Sequence, residues 1–207
     1  MFRTILYPGF ILFLIACGGK SRPEHFNQGA AKPESKATYI FEKLDISKGS
    51  SVADLGSGGG YFSYRFSELV GEEGKVFAID VNEAFLNYIR DEAKRKNLQN
   101  IITVKAEEDG LSLDKNSLDL IFSRNVYHHL KNRSEYFKKL IPLLKENGKI
   151  AIIDYNKKSS FFSFIRFFGH STDPNMIVEE MKQAGYIVEK EYTDLEKQSF
   201  LIFIVKK

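Results

Sequence analysis

The chain has 207 residues, 43% of them hydrophobic and 28% charged. That is enough for one domain with a full core, and it indicates neither a disordered chain nor a polytopic membrane protein. A net charge of +3 is too small to argue for nucleic acid as a partner, and a single cysteine excludes an intramolecular disulfide.

Residues 1–16 stand apart. Arg3 gives a positive start, and Ile5 to Ala16 is an apolar run. The run is short for a spanning helix, which needs about 20 apolar residues, and suits the apolar segment of a signal peptide. It ends in Leu14-Ile15-Ala16-Cys17. This resembles the bacterial lipobox, in which the chain is cut before the cysteine and the cysteine is lipidated. The resemblance implies a signal peptide over 1–16, lipid attachment at Cys17 and a membrane-anchored, extracytoplasmic protein. The alternatives are a cytoplasmic protein with an apolar start and an uncleaved anchor. Cys17→Ser is expected to release the chain from the membrane fraction, and its persistence in the pellet after fractionation would overturn the anchor. Residues 17–35, polar and rich in Gly, Lys, Ser and Pro, read as a tether with His25 a solvated member. The boundary of the folded domain falls near residues 25–35, and the domain itself occupies 36–207. A helix opening near Pro33 would place Tyr39, Ile40 and Leu44 on one face.

Val52 to Leu55 reads as a buried parallel strand interrupted by Asp54. Four glycines follow within five residues, Gly56-Ser57-Gly58-Gly59-Gly60, and Tyr61 to Val70 has helical apolar spacing. Strand, glycine turn and helix together let a ligand approach the main chain closely. A Walker loop would need Gly-Lys-Ser/Thr, which is absent. A dinucleotide fingerprint counted from Gly56 would need glycine where Tyr61 stands, which disfavours an NAD-dependent oxidoreductase. What remains, Asp54-Leu55-Gly56-x-Gly58-x-Gly60, resembles the first motif of class I S-adenosylmethionine (SAM) methyltransferases. The resemblance implies an α/β, Rossmann-like fold of seven strands, mostly parallel with an antiparallel last strand. It also implies SAM as cofactor, with S-adenosylhomocysteine as product, bound at Asp54, Gly56, Ser57, Gly58 and Gly60. A helix over the pocket is common in that family, so residues 26–44 could form a partial lid.

Gly71 to Gly74 closes the first helix, and Lys75 to Asp80 is a second strand ending in an acid. In the family this acid takes both ribose hydroxyls, which assigns Asp80. Its other reading is an N-cap for the next helix, a role that Asn82 could fill instead. Val81 and Asn82 are expected to border the adenine. Glu83 to Lys96 reads as an amphipathic helix with Phe85, Ile89 and Ala93 inward. Ile101 to Ala106 is a third strand, followed by Glu107-Glu108-Asp109. The family places an acid there against the adenine amino group, and by position Glu107 is favoured, with Glu108 next. Leu118 to Ser123 is a fourth strand, with Arg124, Tyr127, His128 and His129 following its carboxyl end, where ligands bind in doubly wound sheets.

Ser134 to Lys145 reads as a helix kinked by Pro142. Lys149 to Tyr155 is a fifth strand, and Leu143 to Lys149 resembles a recurrent segment of the family with Glu146-Asn147 in place of Pro-Gly. Phe161, Phe162, Phe164, Ile165, Phe167 and Phe168 crowd a short stretch that reads as core, as a lid over an apolar substrate or as a membrane-contacting surface. Asp173 and Pro174 open a last helix to Ala184, and Tyr186–Tyr192 and Ser199–Val205 read as antiparallel strands. Tyr127-His128-His129 with Gly169-His170 to Pro174 is similar to a subgroup of type 11, UbiE-like methyltransferases.

Methyl transfer is an in-line displacement in which the protein mainly supplies alignment. His128 or His129 is the candidate base, with a packing or capping role as the other reading. Amino-methylating DNA enzymes use Asp/Asn-Pro-Pro-Tyr/Phe where this chain has Ser123-Arg124-Asn125-Val126-Tyr127. Cytosine C5 methylation needs a cysteine nucleophile, and Cys17 is far away in sequence; arsenic methylation needs several cysteines, and the chain has one. The acceptor expected is a small molecule or lipid-like compound, and no metal-ligand spacing stands out. SAM is made in the cytoplasm while the N-terminus points outward. That conflict keeps a second class open, an exported, non-catalytic binding lipoprotein for SAM or a nucleoside-type ligand.

Overall fold

The computed structural model describes residues 23–107, 110–156 and 171–207. Its centre is a seven-stranded sheet of order β3-β2-β1-β4-β5-β7-β6. The strands are β1 (Ser51–Leu55), β2 (Lys75–Asp80), β3 (Ile101–Lys105), β4 (Leu118–Arg124), β5 (Leu144–Tyr155), β6 (Tyr186–Tyr192) and β7 (Gln198–Val205). All neighbours pair in parallel except β7, which runs antiparallel to both β5 and β6. The expected α/β, Rossmann-like sheet is therefore present. Its order reverses between β1 and β4, and that switch point opens a crevice at the strands' carboxyl ends.

Successive residues of a strand face opposite sides, so each central strand feeds two cores. Val52, Val76, Phe122, Ile153 and Ile202 pack with α2 (Ala37–Leu44) and α3 (Tyr61–Val70). Ala53, Ile79, Ile121, Ile152 and Phe203 pack on the other face with α5 (Arg133–Leu140) and α6 (Pro174–Gln183). The same alternation sends Asp54 and Arg124 toward α2 and α3, and Asp154 toward α5 and α6. A further helix, α4 (Glu83–Arg95), is capped by the Asn82 side chain accepting from Ala84 N at 3.0 Å. Asp173 caps α6 in the same way, with Pro174 at its first position.

Four sequence expectations need correction. The tether read over 17–35 is helical from Pro23: α1 spans Pro23–Ala31, and a 3-10 turn spans Pro33–Ser35. No residue of α1 is buried, so its apolar content gave no signal. Phe85 is only half-buried, and Leu86 takes the inward position beside Ile89 and Ala93. The helix expected through Pro142 stops at Leu140 and tightens into a 3-10 turn over Ile141–Leu143, because proline has no N–H to continue the α ladder. β5 begins at Leu144, and its register on β4 slips between Leu118–Leu144 and Leu120–Lys149, so Glu146-Asn147-Gly148 lies within an irregular strand start.

Candidate active site

The turn after β1 sits at the bottom of the crevice. Gly56 and Ser57 both donate their backbone N–H to Ile79 O, at 2.8 and 2.9 Å, which ties the turn to β2. Gly56 has φ +76°, and a Cβ there would lie 2.1 Å from Val126 Cγ2. Only glycine admits both the left-handed backbone and the contact with the segment after β4. Gly60, at φ +85°, then turns the chain into α3.

Asp80 ends β2 beside this turn. Its Oδ2 accepts from Gly58 N at 2.9 Å and its Oδ1 from Asn82 N at 2.9 Å. Asn82 caps α4, so Asp80 is not the cap; its carboxylate lines the crevice with further lone pairs to offer. Asp54 is buried and accepts from Ser63 Oγ at 2.6 Å. Burial pushes its carboxyl up to about 7; the Ser63 hydrogen bond opposes that, and the neighbouring charge of Asp80 adds to it. Ser57 Oγ is buried without a hydrogen-bond partner.

Arg124 is the buried cation of the site. Its guanidinium lies over the Phe62 ring, 5.2 Å from the centroid. Nη2 donates to Ser35 O and Gln198 Oε1, each at 2.8 Å, while Nε and Nη1 are buried without partners. Burial pulls its pKa down to about 10, and the phenols of Tyr155 and Tyr61 work against that fall.

α1 closes the crevice from above. Asn27 Nδ2 donates to Gly59 O at 2.7 Å, and Asn27 Oδ1 accepts from Tyr61 N at 2.9 Å. Phe26 meets Phe85 edge to face at 5.5 Å. The fit is tight, since a Cβ on Gly59 would lie 2.1 Å from Pro23 O. His25, read as a solvated tether residue, lies on this helix and lines the crevice, as do Phe26 and Asn27. Residues 23–35 thus pack over the crevice, and the helix that the resemblance implied over the pocket within 26–44 begins at Pro23.

On the far side, the turn Tyr127–His129 carries two histidines. His128 Nδ1 lies 2.7 Å from Asp154 Oδ1, and Asp154 Oδ2 accepts from Thr172 Oγ1 at 2.9 Å. Tyr127 is fully buried, and its hydroxyl donates to Glu180 Oε2 at 2.7 Å. Arg133 grips the same carboxylate through Nε and Nη2 at 2.7 and 2.8 Å, which locks the turn to α5 and α6.

The crevice has a volume of about 1340 Å³. It brings together Asp54, Gly56, Ser57, Gly58, Asp80, Val81, Glu107, Arg124, His128 and His129 from the sequence reading. Two predicted residues stand outside its lining: Gly60, which shapes the turn, and Asn82, whose side chain is committed to capping α4. Glu108 and Cys17 lie outside the described residues, as do Asp109, the phenylalanine cluster at 161–168 and His170. Among the described residues, no helix is long and apolar enough to cross a membrane. The sequence reading does not single out Asn27, Asp154, Thr172 or Gln198 as site residues. For Asp154 a signal exists, an acid closing an otherwise apolar strand.

The sequence profile of the methyltransferase domain family matches residues 46–198, which takes in both sides of the crevice. The chain belongs to this methyltransferase domain family. Among its relatives is a ubiquinone/menaquinone biosynthesis C-methyltransferase of Idiomarina loihiensis, 27% identical over 123 residues, which are 59% of this chain and 49% of that protein. The corresponding protein of Haemophilus ducreyi is 26% identical over 157 residues, covering 73% of this chain and 61% of that one. The chain thus spans between about half and three-fifths of the length of these curated relatives. In fold it is similar to a SAM-dependent methyltransferase of Aquifex aeolicus, with a TM-score of 0.78 and 24% identity, over 90% of this chain and 100% of that one. Membership of the methyltransferase domain family implies SAM as the cofactor. The residues present fit it: a carboxylate for vicinal hydroxyls, a glycine turn lining the crevice, and buried unpartnered donors on Ser57 and Arg124.

Proposed function

We propose that this chain transfers the methyl group of SAM to a small-molecule or lipid-like acceptor. The observation that carries the reading is Asp80, a carboxylate fixed by two backbone N–H groups between the glycine turn and α4. It would take the ribose hydroxyls, with Val81, Phe85 and Glu107 at the adenine end. Asp54 and Arg124, two buried groups of opposite charge, suit the ammonium and carboxylate of the cofactor's amino-acid end. When bound, SAM supplies an electrophilic methyl group. The protein's own part is to hold the acceptor in line with it and to exclude water, for which α1 is placed. Single-ligand pockets run to about 1,000 Å³, so about 1340 Å³ leaves room for an acceptor beside the cofactor. The curated relatives are named for ubiquinone and menaquinone biosynthesis, so a quinone-type compound is the first acceptor class to assay.

Titration calorimetry of the folded protein with SAM, and with NAD as control, tests the reading. SAM is expected to bind with a dissociation constant in the micromolar range, about −8 kcal/mol, and NAD to give no heat. Absence of SAM binding would overturn it. Turnover of labelled SAM with an acceptor separates an enzyme from an exported binding protein on the same fold.

A further inference from the structure

Resting on the methyl-transfer reading, we propose that Arg124 is a specificity-determining residue that reads the carboxylate of the cofactor's amino-acid end, and that Gln198 positions it. SAM is then separated from its decarboxylated form, which lacks only that group. Arg124 and Asp54 stand on adjacent strands and on one face of the sheet: Asp54 is in register with Phe122, and Arg124 follows Phe122 by two residues. Both line the crevice. An α-amino acid carries its ammonium and its carboxylate on one carbon, so an acid and a guanidinium on neighbouring strands suit the pair.

The guanidinium is only partly satisfied. Nη2 serves Ser35 O and Gln198 Oε1. The N–H groups of Nε and Nη1 are buried, and none of the described residues accepts from them. A buried donor without an acceptor is unfavourable, and a charged one more so, which a carboxylate entering the crevice would relieve. The lysines of the crevice are placed differently. Lys32, Lys36, Lys131, Lys139 and Lys197 line it too, but they are exposed, where solvent and salt screen their charge. Gln198, at the start of β7, is buried and tied at both ends of its amide: Oε1 accepts from Arg124, and Nε2 donates to Asn125 Oδ1. With the Phe62 ring against it and Ser35 O beside it, the guanidinium is in place before a ligand arrives. The discrimination has two sides. Arg124 attracts the carboxylate of SAM and repels the decarboxylated form, whose end carries the ammonium alone.

The test is titration calorimetry of the full-length protein with SAM and with decarboxylated SAM, read as the ratio of their dissociation constants. The native protein is expected to favour SAM by about 10²-fold, the gain from charge-assisted hydrogen bonds at a buried cation. Arg124→Gln is expected to bring that preference below about tenfold, and Arg124→Lys, which keeps the charge without the planar donor set, to fall between. Gln198→Met, which fills similar space without an acceptor, should lower the preference several-fold. Combined with Arg124→Gln it should lower it no further, because Gln198 acts through the guanidinium. A merely structural Gln198 would weaken both ligands alike and leave the ratio unmoved. Equal affinity of the native protein for the two ligands, or an unchanged ratio in a folded Arg124→Gln protein, would overturn the role of Arg124. An unchanged ratio in Gln198→Met, or a further fall in the double variant, would overturn the positioning role. Should Arg124→Gln not fold, the native ratio and Arg124→Lys decide. Absence of binding of either ligand to the native protein sinks the methyl-transfer reading, whereas equal binding of both sinks only this inference.

Discussion

Asp80→Ala is expected to weaken SAM binding by about 10²- to 10⁴-fold, the loss of two charge-assisted hydrogen bonds to ribose at about 1.5–3 kcal/mol each. The argument is geometric. The carboxylate is oriented by Gly58 N on one oxygen and Asn82 N on the other, at 2.9 Å each, so no reorganisation is needed when a diol arrives. The fold should survive, because those two N–H groups lie near the crevice surface and α4 keeps its own cap from Asn82. Asp80→Asn retains the shape and one acceptor oxygen and should fall between. Calorimetry with circular dichroism as a folding control checks both. Native affinity in a folded Asp80→Ala protein would displace the ribose from this strand end.

Asp54→Asn is expected to remove most of the pH dependence of stability between about pH 4 and 7. The fold raises this carboxyl from 3.8 to about 7, chiefly by burial. A raised acid is favoured in its neutral form by the folded state. Its contribution is therefore fully present below 3.8 and lost as the pH rises to about 7, after which it is constant. At about 1.4 kcal/mol per pH unit, the native protein loses on the order of a few kcal/mol across that window from this group alone. The amide of the variant would not titrate, would still accept from Ser63, and should leave the protein more stable at pH 8. SAM bound with its ammonium at Asp54 would reverse the preference by placing positive charge nearby, so binding near pH 6 should release a proton from Asp54. Calorimetric heats would then vary with the ionisation enthalpy of the buffer in the native protein and not in Asp54→Asn. Parallel denaturation curves against pH for the two proteins would refute this account.

The parts of the site legible in the sequence are those whose local spacing is their geometry. β1, the glycine turn and α3 are contiguous, so Gly56, Gly58 and Asp54 announce themselves. Asp80 is equally legible as an acid closing an apolar strand beside a helix capped by its own neighbour, Asn82. The remainder depends on what the fold places opposite a residue. Asp154 meets His128 across 26 positions, and period-two alternation tells its face but not its partner. Arg124 rests on Ser35 and Gln198, 89 and 74 positions away. α1 is silent in the sequence because a helix with no buried residue has no apolar stripe, and its attachment rests on the amide of Asn27 and the ring of Phe26. Pro142 marks a disruption at a glance, but whether a proline bends a helix or ends it is decided by the strand that follows.

The seating of α1 on the glycine turn has a kinetic side. A ligand on the floor of the crevice would lie beneath Asn27 and Phe26, so a lift of that helix would widen the way in and out. Arrival and departure then share one gate: a tighter roof lengthens residence time and slows loading in proportion, leaving the equilibrium constant little changed. If each exchange needs the roof to open, turnover cannot exceed the rate of opening, however fast the displacement beneath it.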